Sequence, residues 1–509
     1  MNQLKAGVIL NYLVIILNIL VGLLYTPYML RMMGQSEFGL YSLVASVISY
    51  LTVLDLGFGN AITRYTSKFR AEGKVAEQYE MFGMFFLLYI IIGVVAFLLG
   101  LGLYFNVDTF FGATMTVDEL DKARIMIFLM IFNLAITFPL SIFGSIITAY
   151  ERFIFPKFVN IVRIILNTVI MICLLKMGYK AIAMVVLQTV LNILSLLTNY
   201  FYCKYKLKIK IYFKNFQWGF LKEVAIYSLW IFLNVVMDRI YWNTGQFVLG
   251  AFVGNAAVAV FAISILLVNI YNQFSTAIAG VLLPKVTGMV TRNVDDSEIS
   301  NLFVRTGRIQ YVLIALILSG FILFGRSFII LWAGPEYEDA YLITLLLFIS
   351  LSIPMTQNLG ITILQARNQM KFRSLLYIVI AIFSLLFQVI LAKKYGYLGC
   401  SIAISIALLI GQGLIMNIYY HKKQRLNISS FWIEIIKMSV VPIVFCIIGK
   451  IILSNYVILN NWFSLAIAII IFMTLYLPSF YFISLNKSEQ DLFVKPLKVI
   501  IQRFKNDRY

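Results

Sequence analysis

The chain has 509 residues, of which 61% are hydrophobic and only 12% are charged, and this composition excludes a soluble globular protein. The formal net charge of +19 would suit a nucleic-acid partner, but the basic residues lie in short loops between long apolar runs. The positive charge therefore reflects the orientation of the chain in a membrane. We expect the protein to bind a membrane and no nucleic acid.

Apolar runs long enough to cross a bilayer, about 20 residues each, recur along the whole chain. Dividing them at charges and turns predicts an all-α polytopic membrane protein with about fourteen spans, near residues 8–30, 39–62, 81–105, 125–149, 158–175, 181–203, 220–249, 252–282, 309–331, 340–365, 374–392, 398–420, 432–452 and 458–484. With the N-terminus inside, the inner side of these spans carries 29 Lys and Arg residues and the outer side nine. That bias predicts that both termini are cytoplasmic.

The N-terminal region carries the most distinctive segment, in which an apolar helix ends at a turn, MGQSEFGLY, and a second run leads to DLGFG. Asp55 lies within that second run, and a charge at mid-bilayer costs about 2.5–3.5 kcal/mol on insertion scales. Asp55 falls in the inner half of span two, nine residues before Arg64 at the predicted cytoplasmic exit. We therefore expect these two residues to serve as gate or ion-coupling candidates, with structural neutralisation of a neighbouring arginine as the alternative.

An internal repeat is indicated by colinear matches at a nearly constant offset. Gly34 matches Gly254 at an offset of 220, and Pro139 matches Pro354 at 215. Because six is even, a duplicated six-span unit inserts twice in the same orientation, which makes the two lobes parallel repeats. The predicted division is an N-terminal lobe, a C-terminal lobe, helices 13 and 14, and a basic cytoplasmic tail, at residues 1–210, 211–425, 426–485 and 486–509.

Span seven is the most polar of the long apolar runs. Its polar and aromatic side chains form two neighbouring stripes on one helix, Asn234, Asp238, Tyr241 and Trp242 on the first and Arg239, Asn243 and Gln246 on the second. Because intramembrane charges usually face interiors or pathways, these stripes predict a face that lines a water-filled cavity. The alternative is an Asp238/Arg239 pair that serves assembly with adjacent helices.

Other polar residues extend this candidate site. Asn272 belongs to a similar stripe on span eight, and Arg163 lies shallow enough in span five either to snorkel to the interface or to hold an anion. Arg31, at the end of span one, completes the candidate cations. The polar stripes of spans four and six are equally well explained as hydrogen-bonding seams between helices, and Glu434 and Lys437 as an i,i+3 pair.

Enzymatic function is not supported by the sequence. No GxxxxGK[ST] motif is present, which excludes a P-loop in this chain. The four cysteines form no CxxC motif and the single histidine, His421, lies in a basic loop, so neither a metal centre nor a disulfide framework is expected. A glycan polymerase or ligase would need a sizeable outer domain, and the predicted outer loops are short. We expect no cofactor.

Two segments, MGQSEFGLYSL and DLGFGNAITR, resemble the Wzx-type polysaccharide flippases of the multidrug/oligosaccharidyl-lipid/polysaccharide exporter (MOP) superfamily. The segment Ala149-Tyr150-Glu151-Arg152-Phe153, Asp238 and Leu283-Pro284-Lys285 are similar to the same family. The resemblance covers the whole chain in span count, duplication and termini. It identifies the family and gives little information about the glycan.

The resemblance implies two six-helix lobes in a V like that of the MATE transporters, followed by two C-terminal helices. The implied cargo is an undecaprenyl-pyrophosphate-linked repeat unit of O-antigen, capsule or exopolysaccharide, moved across a bacterial inner membrane by a monomer. Coupling to a proton or Na⁺ gradient and pairing with polymerase and chain-length proteins are expected. A drug or cation antiporter of the same superfamily and a membrane glycan polymerase or ligase are the alternatives, and a lipid II flippase is a close relative within the leading class.

Overall fold

The computed structural model describes residues 3–213, 218–456 and 459–491, and its regular structure in these ranges is helical. The first part of the chain forms eight α-helices: α1 (Gln3–Met33), α2 (Gln35–Leu51), α3 (Phe58–Ala71), α4 (Val75–Phe105), α5 (Val107–Phe111), α6 (Val117–Ala149), α7 (Ile154–Lys176) and α8 (Ala181–Phe201). The second part forms α9 (Trp218–Phe252), α10 (Asn255–Thr291), α11 (Asp296–Trp332), α12 (Ala340–Thr356), α13 (Asn358–Ala366), α14 (Met370–Leu408), α15 (Met416–Lys422), α16 (Ile428–Tyr456) and α17 (Trp462–Ile483).

The predicted membrane-spanning character is confirmed. Among the described residues, twelve helical elements are long and apolar enough to cross a membrane. One of them, residues 370–422, covers both of the predicted spans eleven and twelve, which meet at Gly396 (φ 55°, ψ −135°). The 35-residue α9 supplies predicted span seven. About fourteen spans is therefore a sound description of the fold.

Several predicted boundaries are wrong by more than one helical turn. The segment before span four was expected to be an outer loop up to residue 125, but it contains α5 and the first two turns of α6. Thr116 and Glu119 explain the early start, because they form a reciprocal capping box that satisfies free backbone N–H groups. The first turns of α6 carry charged residues, so a prediction from hydropathy places the start of this helix too late.

Helix caps outside the apolar segments follow local side-chain chemistry. Asp295 caps α11 by accepting a hydrogen bond from the Ser297 backbone N–H, and the hydrogen bonds from Ser297 hold the pKa of the Asp295 carboxyl below its usual range. Asn461 caps α17 by accepting from the Ser464 N–H at 2.8 Å. Both caps lie at positions where the chain re-enters an apolar helix.

Prolines lie inside three of the long helices, Pro27 in α1, Pro139 in α6 and Pro354 in α12. The helices α1 and α6 continue through their prolines without a break. The helix α12 ends three residues after Pro354, at Gln357, where α13 follows. A proline removes the hydrogen bond to the turn before it, so Pro354 weakens α12 on its N-terminal side and does not explain the break that follows it.

The helices pack into two compact units. The first contains residues 1–263 and 377–403, and the second contains residues 264–376 and 404–509. These bounds differ from the predicted lobes, because α9, the start of α10 and residues 377–403 group with the N-terminal helices in this conformation. The duplication itself is a statement about sequence, and it stays a prediction.

The second unit has two apolar clusters and an exposed apolar surface. One cluster surrounds Phe303 and Phe431, and the other surrounds Phe472 and Tyr476. The outward faces of α16 and α17 expose large aliphatic side chains, among them Ile436, Ile443, Ile447 and Ile470, each more than half exposed. Such a surface is stable only against lipid.

Candidate functional site

Span two is broken at the predicted acid. Residues Thr52–Asp55 form a 3-10 turn between α2 and α3, and the next two residues, Leu56 and Gly57, are left-handed, with φ of 54° and 72°. Glycine adopts that conformation without a Cβ clash, so the DLG sequence suits the break. The element runs from residue 35 to residue 71, so Asp55 lies two residues past its midpoint, and its predicted place in the inner half of the span stays a prediction.

The Asp55 carboxylate is held by two donors. The Tyr89 hydroxyl donates to its Oδ1 at 2.9 Å, and the backbone N–H of Gly57, the residue that caps α3, donates as well. Tyr89 is fully buried in α4, where its ring packs on Phe58 and Phe138. The 3-10 turn also packs against α9, the polar span seven. The structure thus brings two predicted site regions together within the first unit.

Span two lies along span seven through neutral contacts. The hydroxyls of Tyr50 and Thr244 share a hydrogen bond of 2.5 Å. The Thr114 hydroxyl, in the connection between α5 and α6, donates to the Gly250 carbonyl of span seven at 2.6 Å, and the Leu43 side chain of span two fills the space beside Gly250. No charge is buried in any of these contacts.

The two matching turns of the internal repeat meet at the end of this seam. Gly34 and Gly254 precede α2 and α10, and both have positive φ, 81° and 115°. Behind them, Gly39 lies directly against the backbone of Asn255, so closely that a Cβ on Gly39 would overlap the Asn255 carbonyl oxygen. The Glu119 side chain accepts a hydrogen bond from Ser36 at the same end. Glycine at position 39 is therefore a packing requirement.

Span seven presents a mixed environment rather than one uniform face. Arg239, Trp242, Asn243 and Gln246 are half-buried, and Asp238 is exposed. The buried Arg239 Nε has no hydrogen-bond partner in the protein. A guanidinium N–H without a partner, beside an indole and two amides, is a suitable arrangement for an anionic, hydroxyl-rich ligand.

Tyr241 differs from the other residues of its predicted stripe. It is fully buried and stacks on Tyr377, with ring centroids 5.0 Å apart and planes inclined by 15°. In this conformation Tyr241 is a packing residue of the first unit, and its predicted contact with a ligand stays a prediction. The side chain of Asn234 lies outside the described residues.

The remaining candidates are dispersed. Asn272 is half-buried and has a partner within the protein. Arg163 is half-buried nine positions after the start of α7, and its shallow place in the membrane stays a prediction. Arg31, at the end of α1, and Arg64 are exposed, and the Arg64 guanidinium carbon lies 5.7 Å from the Tyr65 ring centroid. A common site for these four residues stays a prediction.

The stripes of spans four and six form the predicted seam. The Asn192 amide donates to Asn133 Oδ1 at 2.9 Å and to Thr137 Oγ1 at 2.8 Å. Tyr41 and Gln188 bridge span two to span six at 2.9–3.1 Å. These polar side chains bind one another, so they hold the helices together.

A buried ion-pair network in the second unit was missed by the sequence reading. Arg308 on α11 forms a fork with both carboxylate oxygens of Glu489, at 2.6 and 2.7 Å, and also binds Glu434 on α16. Its Nη2 donates to the Ser484 carbonyl at the end of α17, at 3.1 Å. The expected pair of Lys437 with Glu434 forms at 2.8 Å. The network ties α16 and the end of α17 to α11.

Metal chemistry has no candidate centre in the described parts of the chain, where no three His, Cys, Asp or Glu side chains converge. The polar side chains next to Arg239 on span seven are the indole of Trp242 and the amides of Asn243 and Gln246. Such groups bind and orient ligands rather than react with them. The structure therefore offers binding chemistry along span seven.

Three solved structures, a flippase and two transporters, resemble this chain in fold. Lipid II flippase MurJ in an inward closed conformation superimposes with a TM-score of 0.71 at 17% identity, over 96% of this chain and 99% of that one. An inward-facing multidrug resistance MATE transporter of the MOP superfamily gives 0.60 at 13% identity, over 81% and 98%. A MOP superfamily transporter from Pyrococcus furiosus gives 0.54 at 14% identity, over 84% and 94%.

At these identities the structural likeness establishes the fold alone, which this chain shares with a lipid II flippase and with MATE transporters. No curated protein matches the sequence. The family profile described as polysaccharide biosynthesis protein matches residues 4–290, more than half of the chain. This multi-pass membrane protein therefore belongs to the polysaccharide biosynthesis protein family.

Proposed function

We propose that the protein is a flippase that moves an undecaprenyl-pyrophosphate-linked oligosaccharide from the cytoplasmic to the outer leaflet of a bacterial inner membrane. The cargo would be a repeat unit of O-antigen, capsule or exopolysaccharide. The observation that carries the proposal is the family match over residues 4–290, on a fold shared with a lipid II flippase over 96% of the chain. The MOP fold supports a transporter, and the family supports a polysaccharide precursor as cargo.

The polar groups of span seven suit the chemistry of such a cargo. A pyrophosphate requires cations in a low-dielectric cleft, and the planar fork of Arg239 matches its oxygen atoms. A sugar needs amide partners and an aromatic face, which Asn243, Gln246 and Trp242 would provide. Arg239 is half-buried and its Nε has no hydrogen-bond partner, so this nitrogen can bind an anion without first losing a hydrogen bond within the protein.

An apolar groove in the second unit offers room for part of the isoprenoid chain. It has a volume of about 640 Å³ and is formed by α11, α16 and α17, with walls that include Leu323, Phe445, Ile467 and Phe472. Such a chain gains about 0.8 kcal/mol for each CH₂ group buried from water but almost nothing on exchange from lipid. The groove would therefore guide the tail rather than anchor it.

The neutral seam along span two supports transport by alternating access. In the first unit, span two is closed against spans seven and eight from Tyr50 to Gly39. Under the proposed topology this seam includes the outer ends of the helices, so cargo would enter from the cytoplasmic side. Asp55, at the break in span two, and Asp238 are our candidates for coupling to a proton or Na⁺ gradient, and these two residues and Arg64 are the gate candidates.

The MATE-like fold also supports a second candidate, a drug or cation antiporter. Its cargo would be cationic, and an unpaired guanidinium donor on span seven disfavours such a ligand. We keep the membrane topology with both termini in the cytoplasm, action as a monomer, and partnership with polymerase and chain-length proteins as parts of the flippase proposal. A glycan polymerase or ligase would need catalytic residues, and none is proposed.

The decisive experiment replaces Arg239 in cells that lack the native copy. We expect Arg239→Ala to abolish surface polysaccharide and to make the lipid-linked repeat unit accumulate on the cytoplasmic side, and Arg239→Lys to restore export in part, because it keeps the charge and loses the fork. Arg326→Ala is the matched control, because Arg326 is exposed and pairs only at the surface with Glu338. Normal export by well-expressed Arg239→Ala would exclude this site, and drug efflux without any change in polysaccharide would favour the antiporter.

A further inference from the structure

An extended basic segment follows span six. After α8 the chain makes a π-helical turn at Tyr202–Lys206 and then runs without helix to residue 213. Lysines occupy every second position, at 204, 206, 208 and 210, and all four are exposed. The residues between them in the extended part, Leu207, Ile209 and Ile211, are half-buried. We name residues 204–213 the lysine strap.

The lysine strap is fixed to the first unit by its backbone. The Tyr212 N–H donates to the Tyr79 carbonyl at 3.1 Å, and the Ile209 N–H donates to the Cys203 carbonyl at 3.0 Å. The backbone at Tyr212 lies so close to α4 that a Cβ on Gly83 would overlap the Tyr212 carbonyl oxygen. The rings of Tyr79 and Tyr212 meet edge to face at 5.5 Å. The four ammonium groups are therefore presented from a supported backbone.

Exposed aromatic rings flank the lysines. Phe213 is 61% exposed and Tyr205 is 68% exposed, and the Tyr205 ring stacks on Phe201. The Lys204 ammonium lies 5.7 and 5.6 Å from the ring centroids of Tyr200 and Tyr205. Aromatic rings beside lysines are the composition of a membrane–water interface, where rings sit at headgroup level and ammonium groups reach phosphates.

The four lysines form no ion pair with any carboxylate in the described part of the chain. None of the salt bridges between described residues involves the four lysines. In the adjacent α3–α4 connection, the nearby carboxylate Glu72 is already paired with Lys74 at 2.8 Å. Lys68 and Arg70, at the end of α3, add positive charge on the same connection, and Glu77 and Glu80 in α4 add negative charge. The strap keeps a local excess of positive charge.

We propose that the lysine strap binds the headgroup phosphates of anionic phospholipids in the inner leaflet. The proposal rests on the orientation given under the proposed function, which places the connection between spans six and seven in the cytoplasm. An anionic leaflet attracts juxtamembrane lysines within about one Debye length, roughly 10 Å at 0.1 M salt. Exposed lysines and rings on a fixed backbone would hold this connection on the membrane surface.

Lipid retention by the purified full-length protein tests the proposal. The protein in a neutral detergent is titrated with phosphatidylglycerol or phosphatidylcholine, and bound lipid is counted by native mass spectrometry. We expect at least about tenfold weaker phosphatidylglycerol binding when Lys204, Lys206, Lys208 and Lys210 are all changed to glutamine, with no change for phosphatidylcholine. Replacing the same four lysines by arginine should preserve binding, and 0.5 M salt should reduce wild-type binding toward that of the glutamine variant.

The matched control removes the same charge elsewhere. Glutamine at Lys371, Lys422, Lys423 and Lys487, four exposed lysines that are also predicted to face the cytoplasm, should leave phosphatidylglycerol binding unchanged. Equal losses in the two quadruple variants, or no loss in the strap variant, would overturn the proposal. No cargo is present in this assay, so its outcome is independent of whether the protein flips a polysaccharide precursor.

Discussion

Different kinds of contact hold the helices together inside each of the two units. In the first unit, span two meets spans seven and eight through the hydroxyls of Tyr50 and Thr244, the Leu43 side chain beside Gly250, and the bare backbone of Gly39. In the second unit, α11, α16 and the end of α17 are joined by the buried guanidinium of Arg308 and two carboxylates. The seam of the first unit is neutral, whereas the seam of the second unit is ionic.

The two kinds of contact differ in the free energy that is needed to separate the helices they join. A neutral hydrogen bond contributes about 0.5–1.5 kcal/mol and can be replaced by water. Breaking a buried ion pair costs about 3–5 kcal/mol, because it leaves an uncompensated charge. A seam that opens in every transport cycle is better built from the first kind, and a permanent attachment from the second. Three substitutions test this contrast.

The largest effect is expected at Arg308. Arg308→Ala leaves Glu489, which is 1% exposed, without its partner, so we expect a loss of about 3–5 kcal/mol in the free energy of unfolding. This loss is measured by unfolding the two proteins in detergent with heat or with denaturant. Arg326→Ala is the control: its pair with Glu338 is 66% and 41% exposed, and such pairs contribute about 0–1 kcal/mol. Similar losses for the two variants would contradict the assignment of a permanent attachment.

A smaller effect is expected at Gly39. Gly39→Leu forces a side chain against the Asn255 backbone, and we expect overpacking to weaken the closed seam by about 1–3 kcal/mol. A cysteine at Tyr50 should then react faster with a membrane-impermeant thiol reagent, while the ion-pair network of the second unit stays intact. Gly22→Leu is the control, because no atom lies within 4 Å of a Cβ at that position. Unchanged labelling in Gly39→Leu would show that the seam does not open there.

The smallest effect is expected at Tyr89. Tyr89→Phe removes the hydroxyl that donates to Asp55, but the carboxylate keeps the Gly57 N–H, so we expect a loss of about 0.5–1.5 kcal/mol in stability. The matched control is Tyr104→Phe on the same helix, whose ring packs on Phe105 and Phe128. If polysaccharide export falls in Tyr89→Phe and is normal in Tyr104→Phe, the hydrogen bond to Asp55 matters for transport. Equal export by the two variants would show that the hydrogen bond from Tyr89 to Asp55 is not needed for transport.

The sequence predicted features that depend on spacing along one helix. Helix content, proline positions, the Asn192 seam and the Glu434–Lys437 pair all follow from periodicity and local composition. Partners distant in sequence were not predictable in this way. Tyr89 lies in the featureless run FFLLYIII, and Arg308 was assigned to a loop because a charge normally ends an apolar span. Neither residue carries a sign of its partner, 34 or 181 positions away.

The candidate site shows the same limit. Helical spacing placed Asp238 and Tyr241 on one stripe, yet one is exposed and the other is fully buried against Tyr377. A periodic pattern defines directions around one helix, whereas the neighbours that cover each direction belong to other parts of the chain. Residue 377 is far from span seven in sequence, and only the packing of the first unit brings it there.

The boundaries of the two units have a mechanical consequence. The chain passes between the units three times, after Ile263, Leu376 and Ala403, and each passage lies inside α10 or α14. Any rearrangement of one unit against the other must therefore bend or twist these helices, with the kink at Gly396 as a compliant point near the last passage. A single residue inserted in α14 after Leu376 would rotate everything beyond it by about 100°. Loop insertions of the same length should have little effect on transport.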